Sequence, residues 1–147
     1  MKNRILICVG IIIVIIVTII ICRKRGDRTN EEYISIFLSN RSDFECVAQV
    51  LQKWTTGSVN FNNGISSGNQ EIEKEILNND IFRESLSRLY ELKEIDIILI
   101  EGNEIAFYFY KFPKNYHGGI FYGINLESNI CTYFIDDYWA LKVIPNM

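Results

Sequence analysis

The chain has 147 residues, 48% of them hydrophobic, and a net charge of -3. From Thr29 onward 119 residues remain, which is one ordinary domain, large enough to bury its own core without a disulfide, metal or cofactor. Residues 1 to 28 carry six Lys/Arg against Asp27 alone, +5, and the rest carry nine against seventeen Asp/Glu, -8; an acidic domain without a basic, aromatic-interleaved stripe excludes nucleic acid as a partner.

Residues 5 to 22, ILICVGIIIVIIVTIIIC, contain no charge. As a helix, eighteen residues span about 27 Å, close to the hydrocarbon thickness of a bilayer. Lys2 and Arg4 precede the run, and Arg23, Lys24, Arg25 and Arg28 follow it, a cationic flank suited to headgroups. The run is longer than a signal-peptide core, and no small-x-small cleavage site precedes Arg23. Ile21 stands where a lipoprotein would carry a small residue before Cys22. The chain therefore divides into a short tail (1–4), a single transmembrane helix (5–22), a basic juxtamembrane stalk (23–29) and one α+β domain (30–147). The lipid bilayer is the partner of residues 5–22. Four cations after the span against two and the α-amino group before it favour a cytoplasmic domain.

Thr29 with Glu32, and Ser42 with Glu45, have the capping-box spacing. With Tyr33, Phe37, Phe44, Val47, Leu51 and Trp54 recurring at helical intervals, they predict helices over 30–39 and 43–55. The Gly, Ser and Asn-rich stretch from Thr55 to Gln70 predicts a long loop with room for one short strand. Ile72 and Ile76 continue toward Phe82, Leu86, Leu89 and Tyr90 across a break at Asn78 to Asp80, where Asp80 is positioned to cap the second piece.

After Lys93 the apolar period changes to two. IDIILI, a Gly102-Asn103 turn, EIAFYFYKF, a loop over Pro113 to His117, GGIFYGIN, CTYFI and YWALKVI predict four or five strands, most simply an antiparallel meander, with Gly118 and Gly119 as turn residues. Helices followed by strands give an α+β fold with the helices packed on one face of the sheet.

The residue types that carry common chemistries are sparse. A single histidine, His117, leaves no His-based metal constellation, so no metal or cofactor is expected. Cys46 and Cys131 lie in no C-x-x-C pair and are expected to be unpaired thiols of the core. A Cys131 and His117 dyad is the sharpest catalytic idea, yet both occupy ordinary positions. Glu71 with Glu75, and Asp136 with Asp137, read as solvated helix and strand-end carboxylates, so no catalytic residue is assigned.

The tyrosines are distributed unevenly: six of eight fall between residues 108 and 138. Alternation along Glu104 to Phe112 separates Ile105, Phe107 and Phe109, a core face, from Ala106, Tyr108, Tyr110 and Phe112. Tyr108 and Tyr110, with Tyr122 as a neighbour, are the expected binding surface for a protein partner.

Asn40, Asp43, Phe44, Glu45 and Val47, followed by Gly118, Gly119, Ile120 and Tyr122, resemble the pattern of small uncharacterised bacterial membrane-anchored α+β proteins without an assigned activity. Heavy use of Ile and Asn with little Ala and Pro fits an AT-rich bacterial genome or its phage. The resemblance implies no catalytic residues. The expected function is a membrane-anchored, non-catalytic binding or accessory module, of which an immunity protein opposing a toxin is one version. The alternative is a small membrane-associated hydrolase or transferase, which requires a pocket with convergent polar groups.

Overall fold

The computed structural model describes residues 28–110, 112, 116–123 and 132–145. The expected membrane span and its cations Arg23, Lys24 and Arg25 lie outside them. Among the described residues no helix is long and apolar enough to cross a membrane.

Helix α1 (Asn30–Ser39) begins at the predicted capping box: the Glu32 amide donates to the Thr29 side chain, and the Glu32 carboxylate accepts from the Thr29 amide. It buries Tyr33 and Phe37. Helix α2 (Arg41–Leu51) follows almost at once. The second capping box does not form, because the chain re-enters the helix two residues earlier than expected. Asn40 spends its side-chain amide backwards on the Ile36 carbonyl (2.8 Å), Ser42 is already helical, and Glu45 pairs with Arg41 (2.6 Å). The apolar stripe of α2 is Phe44, Val47, Ala48 and Leu51, with Asp43 buried beside it.

The glycine-rich stretch contains strand β1 (Thr56–Asn60). Its loop is tied back by Asn60 pairing with Ser66 and by the Ser67 hydroxyl donating to the Ser58 carbonyl (2.6 Å). Helices α3 (Gln70–Asn78) and α4 (Asp80–Glu91) follow. Asn79, not Asp80, caps α4: its extended backbone lets Oδ1 accept from the Phe82 amide (3.1 Å), whereas Asp80 is already the first helical residue and pairs with Arg83 (2.5 Å).

The remaining strands are β2 (Ile95–Glu101), β3 (Glu104–Phe109), β4 (Tyr116–Gly123), β5 (Thr132–Phe134) and β6 (Trp139–Pro145). Among the described residues the sheet has six strands rather than four or five, all antiparallel, in the order β1-β2-β3-β4-β6-β5. The extra strand is β1, which pairs along β2. The simple meander also fails at its last step, because β6 returns between β4 and β5 and leaves β5 at the edge.

His117, Gly118 and Gly119 are strand residues, not turn residues. Their lack of a side chain suits the glycines to crowding: a Cβ on Gly119 would lie 2.2 Å from the Phe107 carbonyl oxygen, and one on Gly118 would lie 2.6 Å from the Phe112 ring.

Among the described residues, the four helices lie on one face of the sheet. Their apolar stripes join Val59, Ile98, Ile100, Ile105, Phe107, Ile120, Trp139 and Leu141 in one core. Asp43 is held at this layer's edge by Arg88 of α4, whose Nε donates across 2.8 Å to Oδ1. This pairing keeps a buried carboxylate satisfied and joins α2 to α4.

Candidate functional site: two tyrosine surfaces

The structure separates the three expected tyrosines. Tyr122 lies directly opposite Ile105 on the helix-covered face, with its ring 4.9 Å from that of Trp139, and therefore belongs to the core side. Tyr108 faces the other way. Tyr110 lies beyond the end of β3, where its amide donates to the Glu94 carbonyl (2.7 Å) and its side chain is 64% exposed. Phe112 also leaves the predicted alternation, stacking on Tyr33 at 4.6 Å. Strand geometry ends at Phe109, so the period of two fixes neither Tyr110 nor Phe112.

The first surface is the face of the sheet opposite the helices. One row of direct partners crosses all six strands: Ser58, Leu99, Ala106, Phe121, Ala140 and Phe134. Five inter-strand steps make this row about 24 Å wide. Five of its six residues are apolar, where an uncovered antiparallel face ordinarily alternates to polar. Ala106, Phe121 and Ala140 are buried in a small second cluster, on which Tyr108 and Ile144 pack and to which no helix contributes.

Polar groups fix the geometry of this face. Lys142 holds Glu104 through both carboxylate oxygens (2.9 and 3.0 Å) while its ammonium lies 4.7 Å from the Phe121 ring centre. The Tyr108 ring meets Phe121 edge-on at 5.6 Å and lies 6.0 Å from His117. Burial, reinforced by Glu101 and Glu104, pushes the Tyr108 phenol above its usual range.

The second surface is a cleft of about 320 Å3 at the opposite end of β3, lined by Phe61, Asn62, Tyr90, Lys93, Ile95 and Tyr110. Phe61 and Tyr90 meet edge-on at 6.0 Å, and the Lys93 ammonium lies 3.9 Å from the Tyr90 ring centre. Arg28 reaches the neighbouring residue Glu94 with two guanidinium nitrogens, one at 2.7 Å. Its charge is therefore paired within the domain instead of standing free in the stalk.

Three of the four carboxylates considered as acid and base, Glu71, Glu75 and Asp136, have structural partners. Glu71 pairs with Lys74, and Glu75 accepts from Asn79 and Lys53. Asp136 pairs with Arg41 and accepts from the Tyr138 and Trp139 amides. Cys46 is a free, half-buried thiol. Cys131 lies outside the described residues, and with it the dyad with His117.

The sequence places Tyr108 and Tyr110 on one strand face, whereas in the structure they lie on different surfaces. The cross-strand row was hidden because its members come from six separate strands, whose register depends on β6 lying beside β4. The chain matches no protein-family model, and no curated protein and no solved structure is significantly similar to it.

Proposed function

We propose that this chain is a membrane-anchored, non-catalytic binding or accessory module, tethered through residues 5 to 22 and docking a protein partner on the helix-free face of its sheet. The observation that carries this reading is the apolar row from Leu99 to Phe134, opposite the helix layer. No described helix covers this face; Ala106, Phe121 and Ala140 at its centre are buried under neighbouring side chains, while Phe134 and part of Leu99 are accessible for association, and Tyr108 beside them supplies an amphipathic ring of the kind enriched in interfaces. The domain is assigned to the cytoplasmic side of the cell membrane. Arg23, Lys24 and Arg25 still flank the apolar run, although Arg28 is engaged by Glu94.

Affinity capture from native membranes with the detergent-solubilised full-length protein tests the docking face. Phe134 is 54% exposed, and Leu99 is partly buried. The double variant Leu99→Ser, Phe134→Ser is expected to lose at least tenfold of the captured partner, while its urea midpoint shifts by no more than about 1 kcal/mol equivalent. Undiminished capture by the folded double variant would remove this face from the account.

A further inference from the structure

The same chain that enters the domain at Arg28 also fixes which part of it lies nearest the bilayer. Only residues 23 to 27 separate the apolar run from Arg28, and five residues extend at most about 18 Å. Arg28 is itself fastened to Glu94, whose carbonyl accepts from the Tyr110 amide, so the tether leaves the domain beside the Lys93 and Tyr110 cleft. The opposite rim, with Glu101, Glu104, Asp136 and Asp137, is a strand length away, about 20 Å.

We infer that the cleft formed by Phe61, Tyr90, Lys93 and Tyr110 is a binding site for the phosphate-bearing headgroup of an anionic phospholipid; this inference rests on residues 5 to 22 being a membrane anchor. Its described lining contains one cation, one amide and two tyrosines, and no carboxylate. An ammonium seated over an aromatic ring keeps N–H groups to donate to a phosphate oxygen, and tyrosine hydroxyls are donors of the right reach. Phe61 and Ile95 give the glycerol and upper acyl carbons an apolar wall. Nearby, Tyr116 is 43% exposed at the start of β4, a second ring of the type that settles at a membrane interface.

The backbone of Lys93 points to the same role. Its φ is 57°, in the left-handed region where glycine is the unstrained choice. Lys93 directly follows Leu92, the C-cap of α4, where a left-handed residue ends the helix, and this turn sets its ammonium 3.9 Å from the Tyr90 ring centre at the cleft.

The test uses full-length protein in nanodiscs of phosphatidylcholine containing a minority of phosphatidylglycerol. Insertion is established first by resistance to alkaline carbonate, and the lipids retained by the protein are then measured by native mass spectrometry. Phosphatidylglycerol is expected to be enriched, and Lys93→Gly to reduce the enrichment about fivefold, the change that one lysine at an anionic surface brings. Lys93→Arg should preserve it, as should Lys74→Ala, which removes a cation far along the chain on α3. Because Lys93→Gly relieves the left-handed backbone, its melting temperature should not fall.

An inserted protein without enrichment, or enrichment unaffected by Lys93→Gly, would overturn the headgroup site while leaving the anchor intact. A protein that fails to insert would instead overturn the anchor, and the inference with it. Soluble glycerol phosphate displacing the retained lipid at equal concentration would overturn the lipid source and assign the cleft to a free anion.

Discussion

Replacing Gly119 by alanine should cost about 3 kcal/mol or more, the upper end of the penalty for overpacking. The residue sits in the middle of β4, opposite Tyr108 on one side and Lys142 on the other. A Cβ there would lie 2.2 Å from the Phe107 carbonyl oxygen and 2.8 Å from its carbon. Both are backbone atoms, so no side-chain rotation relieves the clash; β3 and β4 must separate. A domain of ordinary stability has only about 5–15 kcal/mol in total, so much of the population should be unfolded at moderate urea. Gly102→Ala is the control: unlike Gly119 it has a positive φ, 60°, and nothing lies within 4 Å of its added Cβ. Its cost should be confined to backbone strain of about 1 kcal/mol. Urea titration of the two variants separates these causes, and equal losses would show that close packing at Gly119 is not the reason for the glycine.

Trp139→Ala is expected to destabilise the domain by about 4 kcal/mol, through lost apolar burial and the cavity left behind. Trp139 is only 2% exposed, and its ring lies 4.7 Å from Phe37, 4.9 Å from Tyr122, 6.0 Å from Phe107 and 6.3 Å from Phe44. It therefore joins α1 and α2 to the sheet at one point. Trp139→Phe keeps an aromatic ring in place and should lose less than half as much. The same substitutions at Tyr138, which is 52% exposed on the preceding turn, should stay within about 0.5 kcal/mol. A small effect at Trp139 would mean that the helices and sheet do not share this core.

The helical half of the domain was legible because its signals are local. Thr29 and Glu32 lie within one turn, and Tyr33 with Phe37 or Leu86 with Leu89 repeat at the helical period, so each element was visible without reference to the rest. The errors in this half arose from competition between neighbouring residues. Asn40 was already committed to α1, and Asn79 reached the Phe82 amide one position before Asp80.

The sheet was legible strand by strand but not in its order. Nothing local to Trp139 or Leu141 indicates that β6 pairs with β4 instead of leaving that place to β5. The row from Leu99 to Phe134 follows from that order, as does the placement of Tyr122 among core rings. Alternation puts Tyr110 on the face of Tyr108, but the strand ends at Phe109, and the cleft at Tyr110 requires Phe61 and Tyr90, which arrive from the β1 loop and from α4. Such constellations are products of tertiary packing, and no spacing in the chain encodes them.

One fractionation reads both the membrane anchor and the side on which the domain lies. Intact spheroplasts are treated with protease from outside, lysed, and their membranes washed with alkaline carbonate. The prediction is an uncut 17.2 kDa chain that stays with the membrane pellet, with the domain shielded on the cytoplasmic side. An uncut chain released into the soluble fraction would contradict the membrane anchor, and a chain trimmed to its N-terminal segment would contradict the orientation.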